Sequence, residues 1–414
     1  MSVLDISDFA DSTTATPTET LPSQGWVSSN FSSCGTRAKI AALKVASYLT
    51  EPICKVREYF YTFYILNKTC QNTIQKVIKT VFLVLGIFVF SLLTLFTAPM
   101  GALVRGMVAT FEAKPYIYLE RDGKGKVLPE DKKITLVSHN QCYVPAGYCI
   151  TDGGVTPASD RERMNANLQK IKALNPDIVC LYEVPDICDA EYISSQLPEY
   201  PFLIPVAGVR AIGPSSMMYV ASKYEIAKNS IEFIPFIKGT ELTGRAQYSE
   251  KGVLSFDITS RGSKVPIATI ISTHLQHSEV PADPKDGDKK ARAMQMNKIA
   301  NQVKAKIEQN GAVILTGDLN QEESELSTFL ELHQIDWLRR DPSVQGKPTW
   351  GGDKWCAELM GKPPSGPLVL DYTIVAGKAI AISTKVLGTG YSGLEFRPKA
   401  TSDHNLLFST ITVG

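Results

Sequence analysis

The sequence contains no Cys-x-x-Cys pair and no Cys/His spacing that would close a zinc finger, although it has eight cysteines. Scattered this way they read as ordinary thiols. Cys142 with Cys149, or Cys180 with Cys188, are the pairs left for an oxidising compartment. Excess charge is also missing: 43 basic against 42 acidic residues give a net charge of +1, which excludes a globally basic nucleic-acid binder. The N-terminus lacks the basic start and apolar run of a conventional signal peptide. No internal repeat is visible. Histidine is scarce, five in 414 residues, so each one can be weighed.

What is present is unevenly distributed. Residues 1–36 hold four acidic groups, no Lys or Arg, and a Ser/Thr/Pro-rich texture (Ser12-Thr13-Thr14-Ala15-Thr16-Pro17). Such a segment buries too little apolar surface to fold alone, and a disordered tail is expected. Residues 37–79 mix Lys and Arg with aromatics (Tyr59, Phe60, Tyr61, Phe63, Tyr64), the composition of a helix at an anionic lipid surface or of a solvated helical face. Residues 80–104 carry no charge at all. A bilayer crossing needs about 20 apolar residues, so this run predicts a transmembrane segment, or a re-entrant one turning at Pro99 and Gly101. Residues 105–414 are left with 35 basic and 36 acidic groups, nearly neutral.

From about residue 125 to 414 the texture becomes that of a layered α/β domain. Short apolar runs at Ile134–Val137, Ile178–Leu181, Val265–Ile271, Ala312–Leu315 and Leu368–Val375 predict buried strands. Helical periodicity alternates with them. Ser159-Asp160-Arg161-Glu162 has capping-box spacing, after which Met164, Leu168, Ile171 and Leu174 share one face until Asn175-Pro176. A second helix carries Ala291, Met294, Ile299, Val303 and Ile307.

Polar residues cluster where these runs end, the usual place for a site on a rigid sheet. They are Ser138-His139-Asn140-Gln141, Tyr182-Glu183, Thr273-His274-Leu275, Gly317-Asp318-Leu319-Asn320, Asp371-Tyr372 and Ser402-Asp403-His404. Hydrolysis of a phosphate ester needs a hard cation, a base for water and support for the leaving group. Carboxylate and amide oxygens suit Mg²⁺, and Glu183, Asn140, Asp318, Asn320 and Asp403 supply them. His274 and His404 offer imidazoles, and Asp371 a carboxylate to orient one of them.

In this order the clusters resemble the endonuclease/exonuclease/phosphatase superfamily, the fold of deoxyribonuclease I and neutral sphingomyelinases, over residues 131–413. The resemblance implies a four-layer α/β sandwich, two packed β-sheets flanked by helices, standing behind the membrane segment. It implies that Asn140 and Glu183 bind the divalent metal, Mg²⁺ or Mn²⁺, assisted by Asp403. It further implies that His274 contacts the scissile phosphate or acts as acid, that Asp318 and Asn320 position water and phosphate, and that Asp371 orients His404. Ser222-Lys223-Tyr224 and Lys251-Gly252-Val253 look like the family's middle segment. Thr316 and Leu370-Asp371-Tyr372 differ from the Trp-containing motifs of inositol-polyphosphate 5-phosphatases, and Thr273-His274 differs from abasic-site endonucleases. Thr273-His274-Leu275-Gln276-His277 followed by Asp288, Arg292 and Gln295 looks like the neutral sphingomyelinases. The segment between Gln321 and Asp371 matches no branch. The expectation is a membrane-associated Mg²⁺-dependent phosphodiesterase acting on a phospholipid. The alternatives are a membrane-attached nuclease, which Lys289-Lys290-Ala291-Arg292 would serve, a phosphoinositide phosphatase, or an inactive lipid- or protein-binding module.

Overall fold

A computed structural model describes residues 34–69, 72–111, 114–143, 150–151, 154–155, 161–185, 187–210, 214–278, 287–309, 311–351, 367–392 and 398–414. The tail up to residue 33, the capping-box pair Ser159 and Asp160, and Cys149 lie outside them. No disulfide joins Cys180 to Cys188.

The chain enters the fold through two long helices, α1 (Cys34–Thr69) and α2 (Thr73–Phe111). Asn72 caps α2, its Oδ1 accepting from the backbone N–H groups of Ile74 and Gln75 at 3.1 Å. The two helices lie against each other. A Cβ on Gly101 would meet Thr50 at 2.8 Å, and one on Gly86 would meet the Tyr59 ring at the same distance, so both glycines permit the close approach. Residues 80–104 fall within α2, which is helical through Pro99 and Gly101 with no turn between them. Phe82, Leu85, Phe88, Leu95 and Phe96 on α2 are exposed.

The other end of α1 is not a free linker. Ile40 and Leu43 are buried in the same apolar cluster as Met164, Val184, Ile187 and Ala190. Lys39 donates to the carbonyls of Tyr116 (2.9 Å) and Lys114 (3.0 Å), and Lys44 pairs with Glu191.

The first sheet carries β1 (Tyr116–Glu120), β2 (Lys133–Asn140), β5 (Ile178–Tyr182), β6 (Phe202–Ala207), β7 (Tyr219–Ser222), β15 (Ala379–Leu387) and β18 (Leu406–Val413). Its order is β1-β6-β7-β5-β2-β18-β15. Folded sheet therefore begins at Tyr116, upstream of residue 125, where the sequence texture changes. The second sheet has β8 (Glu225–Ile226), β10 (Gly252–Thr259), β11 (Pro266–His274), β12 (Ala312–Asp318), β13 (Arg339–Arg340) and β14 (Asp371–Gly377), in the order β13-β14-β12-β11-β10-β8. β9 (Glu232–Pro235) pairs with β10 beside this path. Short hairpins β3 (Ile150–Thr151) with β4 (Gly154–Val155), and β16 (Gly390–Ser392) with β17 (Pro398–Ala400), stand apart.

Period-two alternation builds the layers. On β5, Ile178, Cys180 and Tyr182 face the second sheet, where they meet Leu254, Phe256, Ile270 and Ile314. Val179 and Leu181 face outward onto α3 (Arg161–Leu174) and α4 (Ile187–Gln196). On β12, Val313 and Leu315 face α5 (Gly287–Glu308) and α6 (Glu323–Leu332). Helices, sheet, sheet and helices make the four layers. α3 buries Met164, Leu168 and Ile171, and Asn175 just after it adopts a φ of 47°, a left-handed closing residue before Pro176. In α5 the inward stripe runs Ala291, Met296, Ile299 and Val303, while Met294 is exposed on the opposite side.

One contact fixes the register at the site end of the second sheet. β11 and β12 run parallel, with Thr273 opposite Gly317 and His274 opposite Asp318. A Cβ on Gly317 would lie 2.1 Å from the Thr273 carbonyl oxygen, so only glycine lets the strands close here.

Two stability tests follow from this packing. Leu43→Ala is expected to cost about 2–4 kcal/mol in urea unfolding of the full chain, while Leu85→Ala at an exposed α2 position shifts it by less than about 0.5 kcal/mol. Equal effects would show that α1 is not part of the core. Gly317→Ala, which must push a backbone carbonyl aside, is expected to cost about 3 kcal/mol; an unchanged unfolding midpoint would contradict the register described.

Candidate active site

The second sheet sets three functional groups in a row. Because β12 is parallel to β11 and antiparallel to β14, His274, Asp318 and Asp371 sit at one level on three adjacent strands. The first sheet brings the rest to the same end. Asn140 ends β2, Glu183 follows β5, and His404 lies just before β18. Asn140, Glu183, His274, Asp318, Asp371 and His404 thus lie at one end of the two sheets.

The geometry is tight. His404 Nδ1 lies 2.8 Å from Asp371 Oδ2, and its Nε2 lies 3.8 Å from Asp318 Oδ2. Asp318 Oδ2 also accepts from Asn140 Nδ2 at 2.9 Å and lies 3.6 Å from His274 Nε2. Glu183 Oε1 is 3.9 Å from the same imidazole nitrogen. Asn320 sits at the half-open rim, donating to the Leu275 carbonyl at 3.3 Å, with its own N–H on Asp318 Oδ1. Asp403 is held by the Trp350 indole N–H at 3.1 Å.

Three site loops use the left-handed region on residues other than glycine: Cys142 (φ 50°), Glu183 (φ 57°) and Asn320 (φ 49°). Such conformations persist only where the surroundings hold them. Arg163 from α3 is one such support. Its guanidinium donates to the carbonyls of Gln141 (2.8 Å), Cys142 (2.8 Å) and Thr401 (3.0 Å), tying the loop after Asn140 to the one before His404. Behind His274, Gln295 Oε1 accepts from the Gln276 N–H at 3.0 Å, and Gln276 Nε2 donates to Asp288 at 3.2 Å. Arg292 reaches the Gln276 carbonyl (3.3 Å) and Glu325 (2.8 Å). The polar residues read from α5 thus brace the Thr-His loop.

Burial dominates the electrostatics. Burial and then the Asp371 charge push the Asp318 carboxyl up to about 7. Burial and Asp403 likewise raise Glu183. Burial opposes a charge on His404, yet Asp371, Asp318 and Asp403 together hold its pKa well above the ordinary value. His274 moves the other way, lowered by burial and then by Lys251.

These carboxylates fit a divalent cation. The Asp403 charge disfavours the charged form of Glu183, which a hard cation would relieve. Asp371 Oδ1 is buried with no hydrogen-bond partner among the described residues. Ligand-type atoms of Asp318, Asp371 and His404 lie within 4.8 Å of one another, although the last two are already paired. Glu183, also an oxygen donor of the kind Mg²⁺ prefers, is more exposed than these three.

Sequence reading missed Lys251 and Arg163 as site residues. Lys251 is buried, with Nζ 3.1 Å from His274 Nε2 and 2.8 Å from the Leu275 carbonyl. A lysine immediately before a strand gives little warning of this; only its place in the middle segment marked it. Arg163 is one of several charges in the first turn of α3, with nothing local to single it out.

Comparison with known proteins agrees with this fold. No curated protein matches. Among solved structures, SmcL is similar at 23% identity with a TM-score of 0.53, covering 68% of this chain and 99% of that one. A double mutant of beta toxin from Staphylococcus aureus, with bound magnesium ions, is similar at 22% identity and a TM-score of 0.51, covering 67% and 99%. Likenesses at this identity show the fold. The family model described as the endonuclease/exonuclease/phosphatase family matches residues 147–404, from just after Asn140 to His404 itself. This chain belongs to the endonuclease/exonuclease/phosphatase family.

Proposed function

We propose that the chain is a Mg²⁺-dependent phosphodiesterase, associated with a membrane and acting on a phospholipid headgroup ester. The observation that carries this reading is the Asp371–His404 pair, whose free imidazole nitrogen faces Asp318 on the buried row. Asp371 accepts Nδ1–H and so aims Nε2 of His404 at the attacking water, and the carboxylates that favour the charged ring stabilise the imidazolium that forms when the neutral ring takes the water's proton. Asp318 and Asn320 orient that water and the non-bridging oxygens, and His274 lies where charge builds toward the leaving group. Glu183 with Asn140, and Asp403 beside them, would hold Mg²⁺ or Mn²⁺, as the magnesium in the similar beta toxin supports. When bound, the cation neutralises the phosphoryl oxygens.

The membrane part rests on α2. Its 25 uncharged residues at 80–104 would span about 37 Å at about 1.5 Å per residue, enough for a hydrocarbon layer of about 30 Å. α2 is long and apolar enough to cross a membrane. A nuclease is the less favoured reading. Arg292 of the basic run is buried against Glu325, so only Lys289 and Lys290 of that run remain exposed.

The full chain in micelles is expected to hydrolyse sphingomyelin, with loss of activity in chelator and return with Mg²⁺. Phosphoinositides and plasmid DNA, run in parallel, identify the other readings if they are the preferred substrates. His404→Ala should reduce kcat by ~1000-fold or more and Asp371→Asn by ~100-fold. Wild-type rates in both folded variants would refute the assignment. Flotation with lipid vesicles should carry the chain upward in high salt, and Leu85→Lys with Phe88→Lys should abolish this. If the double variant still floats, α2 is not the membrane segment.

A further inference from the structure

The contact between Lys251 and His274 is unused in that scheme. Lys251 lies immediately ahead of β10, and Thr273 Oγ1 donating to the Gly252 carbonyl at 3.0 Å holds that strand end against the Thr-His loop. Its side chain is 2% exposed in total residue terms, and His274 is 3% exposed, so neither is free to turn toward bulk water. An ammonium has three donors and no acceptor. At 3.1 Å from Lys251 Nζ, His274 Nε2 must therefore be the accepting nitrogen. A proton on Nε2 would set two donors face to face. The ring proton then belongs on Nδ1, which is buried without a hydrogen-bond partner among the described residues.

We infer that Lys251 is a positioning residue that fixes His274 in the Nδ1–H form, so that the positive charge on this side of the site is carried by the lysine ammonium and not by the imidazole. The inference deepens the phosphodiesterase reading and rests on it for its catalytic consequence. Nε2 of His274 then has no proton to give a departing oxygen. Glu183 and Asp318, the carboxylates within 4 Å of that nitrogen, face the lysine charge. The Leu275 carbonyl at 2.8 Å takes a second N–H of Lys251, and the same carbonyl accepts from Asn320 Nδ2. The lysine is thus held by the backbone of the loop it acts on. Its effect reaches the substrate through His274, and a lysine that merely offset buried carboxylates would leave the imidazole tautomer indifferent to its removal.

The tautomer is directly readable. Nitrogen NMR of the full chain labelled at histidine, with the His274 signals assigned through His274→Asn, is expected to show a protonated Nδ1 and an unprotonated Nε2. Lys251→Arg, which keeps donors and charge, should preserve that pattern. Lys251→Met should shift the ring to Nε2–H, now directed at Asp318. Wild-type protein with Nε2–H on His274, or a pattern unchanged in Lys251→Met, overturns the inference whatever the enzyme's activity. Kinetics on whichever phosphodiester the wild type hydrolyses give the second arm. Lys251→Met should lower kcat by ~100-fold with KM within about threefold, and Lys251→Met with His274→Ala should lose no more than the larger single effect, as expected for groups acting as a unit. Additive losses count against a shared role. Should the wild type hydrolyse no phosphodiester, the functional reading fails and the spectra alone decide the Lys251 contact. Should Lys251→Met fail to fold, the wild-type and Lys251→Arg spectra carry the decision.

Discussion

Gly317 meets the Thr273 carbonyl with no side chain between them, and the site depends on that approach. It closes β12 onto β11 in the register that puts Asp318 beside His274, and the antiparallel β14 then delivers Asp371 to the far side of Asp318. Backbone hydrogen bonds between the buried site-end stretches of β11, β12 and β14 hold the row, so its spacing does not rely on loop rigidity. The loops add the outer members, Glu183, Asn320, Asp403 and His404. The left-handed backbone at Cys142, in the loop after Asn140, is held by the Arg163 clamp.

The row gathers more acid than a buried place readily accepts. Asp318, Asp371, Asp403 and Glu183 face two imidazoles and one lysine in a setting where burial penalises every charge. The consequences are opposite for the two histidines. His404 is surrounded by carboxylates and held toward its charged form, whereas His274 lies against Lys251 and is held neutral. Two chemically identical side chains, 3.6 and 3.8 Å from the same Asp318 oxygen, are thereby held in different charge states, and neighbouring charge makes the difference.

The helical pair at the N-terminal end joins this core instead of merely tethering it. Ile40 and Leu43 pack with Val184 and Ile187, which flank the loop carrying Glu183. An apolar helix that leaves its outer face uncovered is thus mounted on the layer directly behind the site. Removing residues 34–111 would uncover that layer, so a fragment beginning near residue 110 is a poorer object for study than the whole chain.

Sequence by itself determined the strand ends and the identities of the groups on them. Apolar runs two-faced in burial, such as Ile178–Leu181, announce central strands, and a polar cluster closing each run announces a site; Asn140, Glu183, His274, Asp318, Asp371 and His404 were legible for that reason. The long uncharged run was legible too, because hydrophobicity over a length is a property of sequence alone. Several strands of the first sheet, β1 and β15 among them, were not, since their patterns are short and partly polar and are stabilised by pairing with distant segments. Tertiary structure alone decided that α1 belongs to the core, that Met294 points outward while Met296 points in, and that Lys251 touches His274. Each of these is a contact between residues far apart in the chain or a choice between neighbouring faces of one helix. Local composition carries no record of which partner lies opposite.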